Sequence, residues 1–169
     1  MDDMGLGLEL RHYNNEPVAF GREVIYDQCL GLAIGKPNGF WVSVGNDWES
    51  WCRDSEFRLE YLAVIHRVTL SDDANILWIT TPEQLDEFHA EYSHEREGWP
   101  KIGDREFDFR KRFIDWEVVS QKYDGIIITP YIYSRRLDGP FWYYGWDCAS
   151  GVIWNLQAIK DVEVIEEKT

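Results

Sequence analysis

Gly39-Phe40-Trp41-Val42-Ser43, followed after a short link by Trp48-Glu49-Ser50-Trp51-Cys52, carries the most structural information in this chain. Gly39 permits a close turn of the backbone. The aromatic and β-branched run behind it reads as a buried strand over Phe40–Val44. Trp48 then falls three and four residues before Trp51 and Cys52, which places them on one face of a helix over 48–56. Strand, polar turn and helix, each bearing aromatics, can form one wall of a pocket for a flat ligand.

Working outward, Leu8 to Tyr13 alternates and reads as a first strand, closed by the turn Asn14-Asn15-Glu16-Pro17. Residues 22–33 read as a short helix and 35–39 as a turn. Tyr61–Leu70 alternates as a strand, and Ile76–Thr80 forms another after the turn at 71–75. Thr81, Pro82 and Gln84 spell a helix start: an N-cap, a proline at the first helical position and a capping box. Leu85, Phe88, His89 and Tyr92 form its buried stripe. Residues 93–112, charged and broken by Gly98, Pro100 and Gly103, read as a surface loop. Asp115 caps a helix to Tyr123, with Trp116, Val119 and Tyr123 on one side. Asp124-Gly125 ends it, and Ile126–Thr129 is a buried strand. A second loop spans 134–140. Phe141–Trp146 and Gly151–Leu156 read as the last core strands, with Val162–Ile165 as an edge strand. The expected class is α+β, a single domain over 1–169 with a two-sheet mixed β core and a few short helices.

Composition narrows the function classes. The chain carries 17 Lys and Arg against 31 Asp and Glu, a formal charge of −14. Such a surface repels phosphate backbones, so general nucleic-acid binding is not expected, although a local basic cleft can still hold one nucleotide. A basic protein is a more natural partner. Nine Trp and nine Tyr exceed the needs of a core this size, so rings are expected in a groove or interface; the alternative is a Trp-rich core. Cys29, Cys52 and Cys148 form no CxxC pair and suit free thiols in a reducing cytosol. No apolar run approaches the roughly 18 residues of a membrane span, and the N-terminus lacks a signal-peptide pattern. A cytoplasmic protein is expected. No GxGxxG or Walker sequence is present. His89 and His94 stand five apart without a third ligand, so no metal is expected. Cys148 has no His near it in sequence to serve as a nucleophile's base.

The order of these elements, with Gly39–Ser43 running into Ser50-Trp51-Cys52, with Arg11-His12 on the first strand and with Tyr123-Asp124-Gly125-Ile126 entering a late strand, resembles the ADP-ribosyltransferase superfamily. The local likeness is to its poly(ADP-ribose) polymerase and diphtheria-toxin branch. The resemblance implies NAD as substrate, lying between two β-sheets. Arg11 or His12 would hold a ribose, depending on strand register. Trp41 and Trp51 would clamp nicotinamide, and Ser43 would bond the ribose. Arg136, with Arg135, would neutralise the diphosphate. The family's late-strand Glu is missing. Asp147, the only carboxylate between Asp138 and Asp161, takes its place with a reach shorter by one methylene. The implied function is mono-ADP-ribosyl transfer to a partner protein. Two alternatives stand beside it: a non-catalytic binder of NAD or ADP-ribose, and an acidic inhibitor of a basic host protein. Small acidic proteins of this sort also resemble bacteriophage accessory proteins, including anti-defence proteins.

Overall fold

A computed structural model describes residues 8–28, 35–94 and 112–168. Among them are nine strands and three α-helices. In chain order they are β1 (Leu10–Asn14), β2 (Phe40–Val44), α1 (Asp47–Ser55), β3 (Val64–Leu70), β4 (Ile76–Ile79), α2 (Pro82–Tyr92), β5 (Ser93–His94), β6 (Phe113–Ile114), α3 (Trp116–Lys122), β7 (Gly125–Ile128), β8 (Ser150–Ile153) and β9 (Ile159–Glu167). Seven strands form one mixed sheet in the order β4-β7-β8-β2-β1-β3-β9. Only β4 and β7 run parallel, joined through α2 and α3; the other pairs are antiparallel. β5 and β6 pair separately as a short ribbon. The domain is α+β, and its core is one large sheet with that ribbon rather than two sheets facing each other.

Alternation along the strands assigns the two faces. On one face Leu10, Phe40, Val42, Val68, Ile127 and Ile153 pack together. Trp41, Ile126, Ile128 and Val152 point the other way, into a cluster that holds Leu85 and Phe88 of α2 and Trp116 and Val119 of α3. Tyr13 and Ile65 share that second face and pack with Cys52 of α1. All three helices therefore cover one face of the sheet, α2 and α3 over one end and α1 over the other. Gly39 is required by close approach: a Cβ there would meet Val152 Cγ2 at 2.5 Å and the Ile153 carbonyl oxygen at 2.6 Å.

Local chemistry sets the helix starts. Thr81 Oγ1 accepts the Gln84 N–H at 3.1 Å, and Gln84 Oε1 accepts the Thr80 N–H at 2.7 Å. Pro82 occupies the first turn. Asp115 accepts from the Val118 N–H at the start of α3. Residues 22–28 are not helical. They form an irregular strip bridged to Asn155 through Ile25, held by Tyr26 N–H to the Trp154 carbonyl at 2.8 Å and by Leu156 N–H to the Val24 carbonyl at 3.0 Å. Residues 29–33 of that expected helix, with Cys29, lie outside the described residues. So does most of the expected 93–112 loop, whose base is the β5–β6 ribbon. Phe141–Gly145 is a 3-10 turn rather than a strand. Tyr61 and Leu62 belong to another, Leu59–Leu62, ahead of β3.

The His12 imidazole lies between diverging strands. It stacks on Phe40 at 4.1 Å, and its Nδ1 bonds the Trp41 carbonyl oxygen at 2.7 Å. Burial holds its pKa below the ordinary 6.5. The unfolded chain therefore takes up a proton near pH 6.5 that the folded chain refuses, so stability present above that pH falls as pH drops toward the lowered value. The melting temperature is expected to decline between pH 7 and 5, and His12→Phe is expected to flatten that slope. Melting curves across the pH range check this.

Candidate functional site

On the helix-covered face of the sheet lies a cavity of about 350 Å³, with Trp48 of α1 in its wall. Its position follows from the strand order. β8, β2 and β1 are neighbours, so the turn entering β8, the middle of β2 and the start of β1 meet on one face. Arg11, Trp41, Ser43 and Asp147 all line this cavity. Arg11 is separated in sequence from Asp147 by most of the chain, and pairing through β2 brings them into one wall.

Each residue has a definite setting. Arg11 donates to Glu9 at 3.1 Å and to the Tyr13 hydroxyl at 3.5 Å, and these bonds push its pKa further up. Its Nε is buried and finds no hydrogen-bond partner among the described residues. Arg11 and Tyr13 alternate onto the cleft face of β1, whereas the His12 ring lies against Phe40; His12 is nevertheless part of the cavity lining. Ser43 is buried and fully engaged. Its hydroxyl donates to the Gly45 carbonyl at 3.0 Å and accepts the Trp48 N–H at 3.0 Å. Ser43 thus performs the capping that the N-cap residue Asn46 does not supply to α1. Trp51 is not part of the cavity lining. It stacks behind Trp48 at 5.2 Å with an interplanar angle of 14°, and Trp48 presents the ring to the cleft. Arg136 sits apart, over the Tyr144 ring at 5.8 Å, in a shallow groove with Leu137 and Phe141.

Asp147 is half-buried on the turn between Gly145 and β8. Burial pushes its pKa above the ordinary carboxylate value, while Lys36 and Arg136 pull it back. Asp47, at the start of α1, accepts the Ala149 N–H at 3.0 Å and so ties the helix to this turn. Cys148, next in sequence, is buried, and desolvation raises its thiol to about 12. Cys52 is raised to about 11, chiefly by burial and then by Asp147. Both are unpaired. Neither forms appreciable thiolate at neutral pH, so a nucleophilic role for Cys148 has no support. In the native protein at pH 8, iodoacetamide is expected to leave Cys52 and Cys148 unmodified for as long as the fold persists. Peptide mapping by mass spectrometry checks this.

Sequence reasoning missed several members of the wall, chief among them Tyr13, Lys36, Trp48, Arg58 and Tyr61. The Lys36 ammonium lies 5.4 Å from the Trp41 ring centre, its stem running beside Gly145. Arg58 lies over Tyr61 at 5.4 Å and Phe57 at 5.6 Å. The available signal was a cation between aromatics at 57–61 and a lone cation in the turn ahead of Phe40 and Trp41. Among the described residues the cleft bears three cations and one carboxylate between aromatic side chains, on a chain of charge −14.

Four further tryptophans belong to the core. Trp116, Trp142, Trp146 and Trp154 are buried, and each indole N–H has an acceptor: Gly35 O, His89 Nδ1, Ser150 O and Tyr123 O. Among the described residues no helix is long and apolar enough to cross a membrane. No family model, no curated protein and no solved structure matches this chain.

Proposed function

We propose that the cleft binds NAD and that the protein transfers ADP-ribose from it to a side chain of a partner protein. The observation that carries this reading is the meeting of Arg11, Trp41 and Asp147, on or beside three adjacent strands, in one aromatic and cationic cavity. Nicotinamide would lie on Trp41, with Trp48 rather than Trp51 as the second ring. The Asp147 carboxylate would face the ribose and stabilise the positive charge that grows at its anomeric carbon. The bond from that carbon to the nicotinamide nitrogen breaks, and nicotinamide leaves neutral with the electron pair. The acceptor's nucleophilic atom bonds to the same carbon and releases its proton to water. The acidic surface favours a basic acceptor.

A second reading has its own observation. The Ser43 hydroxyl is committed to α1, and the carboxylate stands on the shorter Asp, which suits a binder of NAD or ADP-ribose without turnover. Intact-mass spectrometry after incubation with labelled NAD and a cell lysate separates the two. Label on a protein, with nicotinamide released, supports transfer. A thermal shift with NAD or ADP-ribose but no release supports the binder. Neither signal would remove the nucleotide reading, and attention would pass to a charge-driven protein complex, which weakens as salt rises.

A further inference from the structure

We infer that Lys36 and Arg58 are the grip for the phosphates of a diphosphate-bearing nucleotide, a role expected above of Arg136 with Arg135. The inference rests on the nucleotide reading of the cleft and names how the ligand is held.

Four observations converge. First, both cations line the cavity, from different elements: Lys36 from the turn before β2 and Arg58 from the link between α1 and the turn at Leu59–Leu62. Second, among the described residues neither is in an ion pair, although the chain carries 31 carboxylates against 17 basic side chains. The third cleft cation, Arg11, is already paired with Glu9 at 3.1 Å. Third, each cation rests on an aromatic face, Lys36 on Trp41 and Arg58 on Tyr61. These stacked positions hold the side chains while leaving their N–H groups available to an anion. Fourth, Arg58 has left-handed backbone angles, φ 48° and ψ 44°, uncommon for a side chain of its size. Such backbone persists where the surroundings over-determine it, and it gathers at ligand sites.

A ligand that suits this wall carries negative charge at more than one point and a planar ring between. Phosphates meet the two cations, and Trp48, also in the lining, offers a ring face. Arg136 lies in a separate groove and does not line the cavity.

The test is calorimetric titration of inorganic pyrophosphate, ADP and inorganic phosphate into the wild-type protein and into Lys36→Gln, Arg58→Gln and Arg136→Gln. Charge-assisted bonds of this kind predict a loss of about tenfold or more in pyrophosphate and ADP affinity for each of the first two variants. Arg136→Gln is expected to bind as the wild type does. Pyrophosphate and ADP are expected to bind more tightly than phosphate, with affinity falling as salt rises. Wild-type protein that binds neither pyrophosphate nor ADP overturns the inference, as do variants that fold normally and bind unchanged. Its failure is distinguishable from that of the transferase reading. Pyrophosphate bound through Lys36 and Arg58 without NAD turnover upholds the grip alone. Transfer from NAD with an unchanged KM in both variants removes the grip and leaves the transferase.

Discussion

Asp147→Asn is expected to slow transfer severely while making the protein more heat-stable at neutral pH. The isosteric amide keeps the shape of the turn and removes the charge. If the carboxylate faces the developing ribosyl cation, its loss lowers the transfer rate by about 10²–10³-fold, the range for a single preorganised electrostatic group. Binding of NAD, which depends on the rings and the other charges, is expected to change little, so the effect appears in kcat rather than KM. The stability effect has the opposite sign and a separate origin. Burial holds the Asp147 pKa above its ordinary 3.8. Between the ordinary and the raised value the folded chain binds more protons than the unfolded chain. Stability therefore falls as pH rises through that window, and the ionised carboxylate remains unfavourable above it. Asparagine removes this cost, so the melting temperature rises at pH 7, and the gain shrinks as pH falls below the window. A carboxylate serving only to hold the turn would lower the melting temperature when replaced. Paired melting curves at pH 7 and pH 4, with single-turnover kinetics, check both halves. For the same reason transfer by the wild type is expected to fall off in acid at a higher pH than an exposed carboxylate would give.

Trp154→Ala carries the largest expected loss of stability. The side chain is 1% exposed, in the cluster beneath α3, just past the end of β8. Its indole donates to the Tyr123 carbonyl at 2.6 Å, and its ring lies 6.3 Å from that of Trp116. Removing it opens a cavity in a packed region and strands a carbonyl, at a cost of about 3–5 kcal/mol by comparison with other buried aromatics. For a domain of this length that corresponds to a fall in melting temperature on the order of 10 °C. The ring does not line the cleft, so folded protein is expected to bind nucleotide as before. Denaturant unfolding gives the free energy, and titration of the folded fraction tests the second point.

The elements that the sequence made plain were those with local causes. The start of α2 follows from Thr81, Pro82 and Gln84, and β7 from Gly125 followed by three isoleucines. Phe141–Gly145 deceived the reading because its rings look like strand material. Their burial has a period of three: Phe141 and Tyr144 are exposed, while Tyr143 and Trp146 are buried. In a 3-10 turn residues three apart eclipse, and that spacing is what the chain shows. The 22–28 strip had no local cause to reveal, since its order comes from backbone bonds to residues 154–156. At the site, Arg11, Trp41 and Asp147 could be named from their types and order, but their meeting depends on long-range strand pairing. The engagement of Ser43 by the backbone of α1 and the stacking of Trp51 behind Trp48 are tertiary facts. Lys36 and Arg58 lie in turns, where no periodicity marks a side chain as inward.

The insertion of β8 between β2 and β7 has a consequence in time. Every strand that flanks β8 is synthesised before it, so a growing chain displays two unjoined sheet edges until residues 150–153 arrive. Pairings this distant in sequence close slowly. The same late segment brings Asp147 to the cleft, so the nascent protein passes through a stage with exposed strands and no complete site. Its burden on the cell's folding machinery and the completion of its cleft are thus timed by one event.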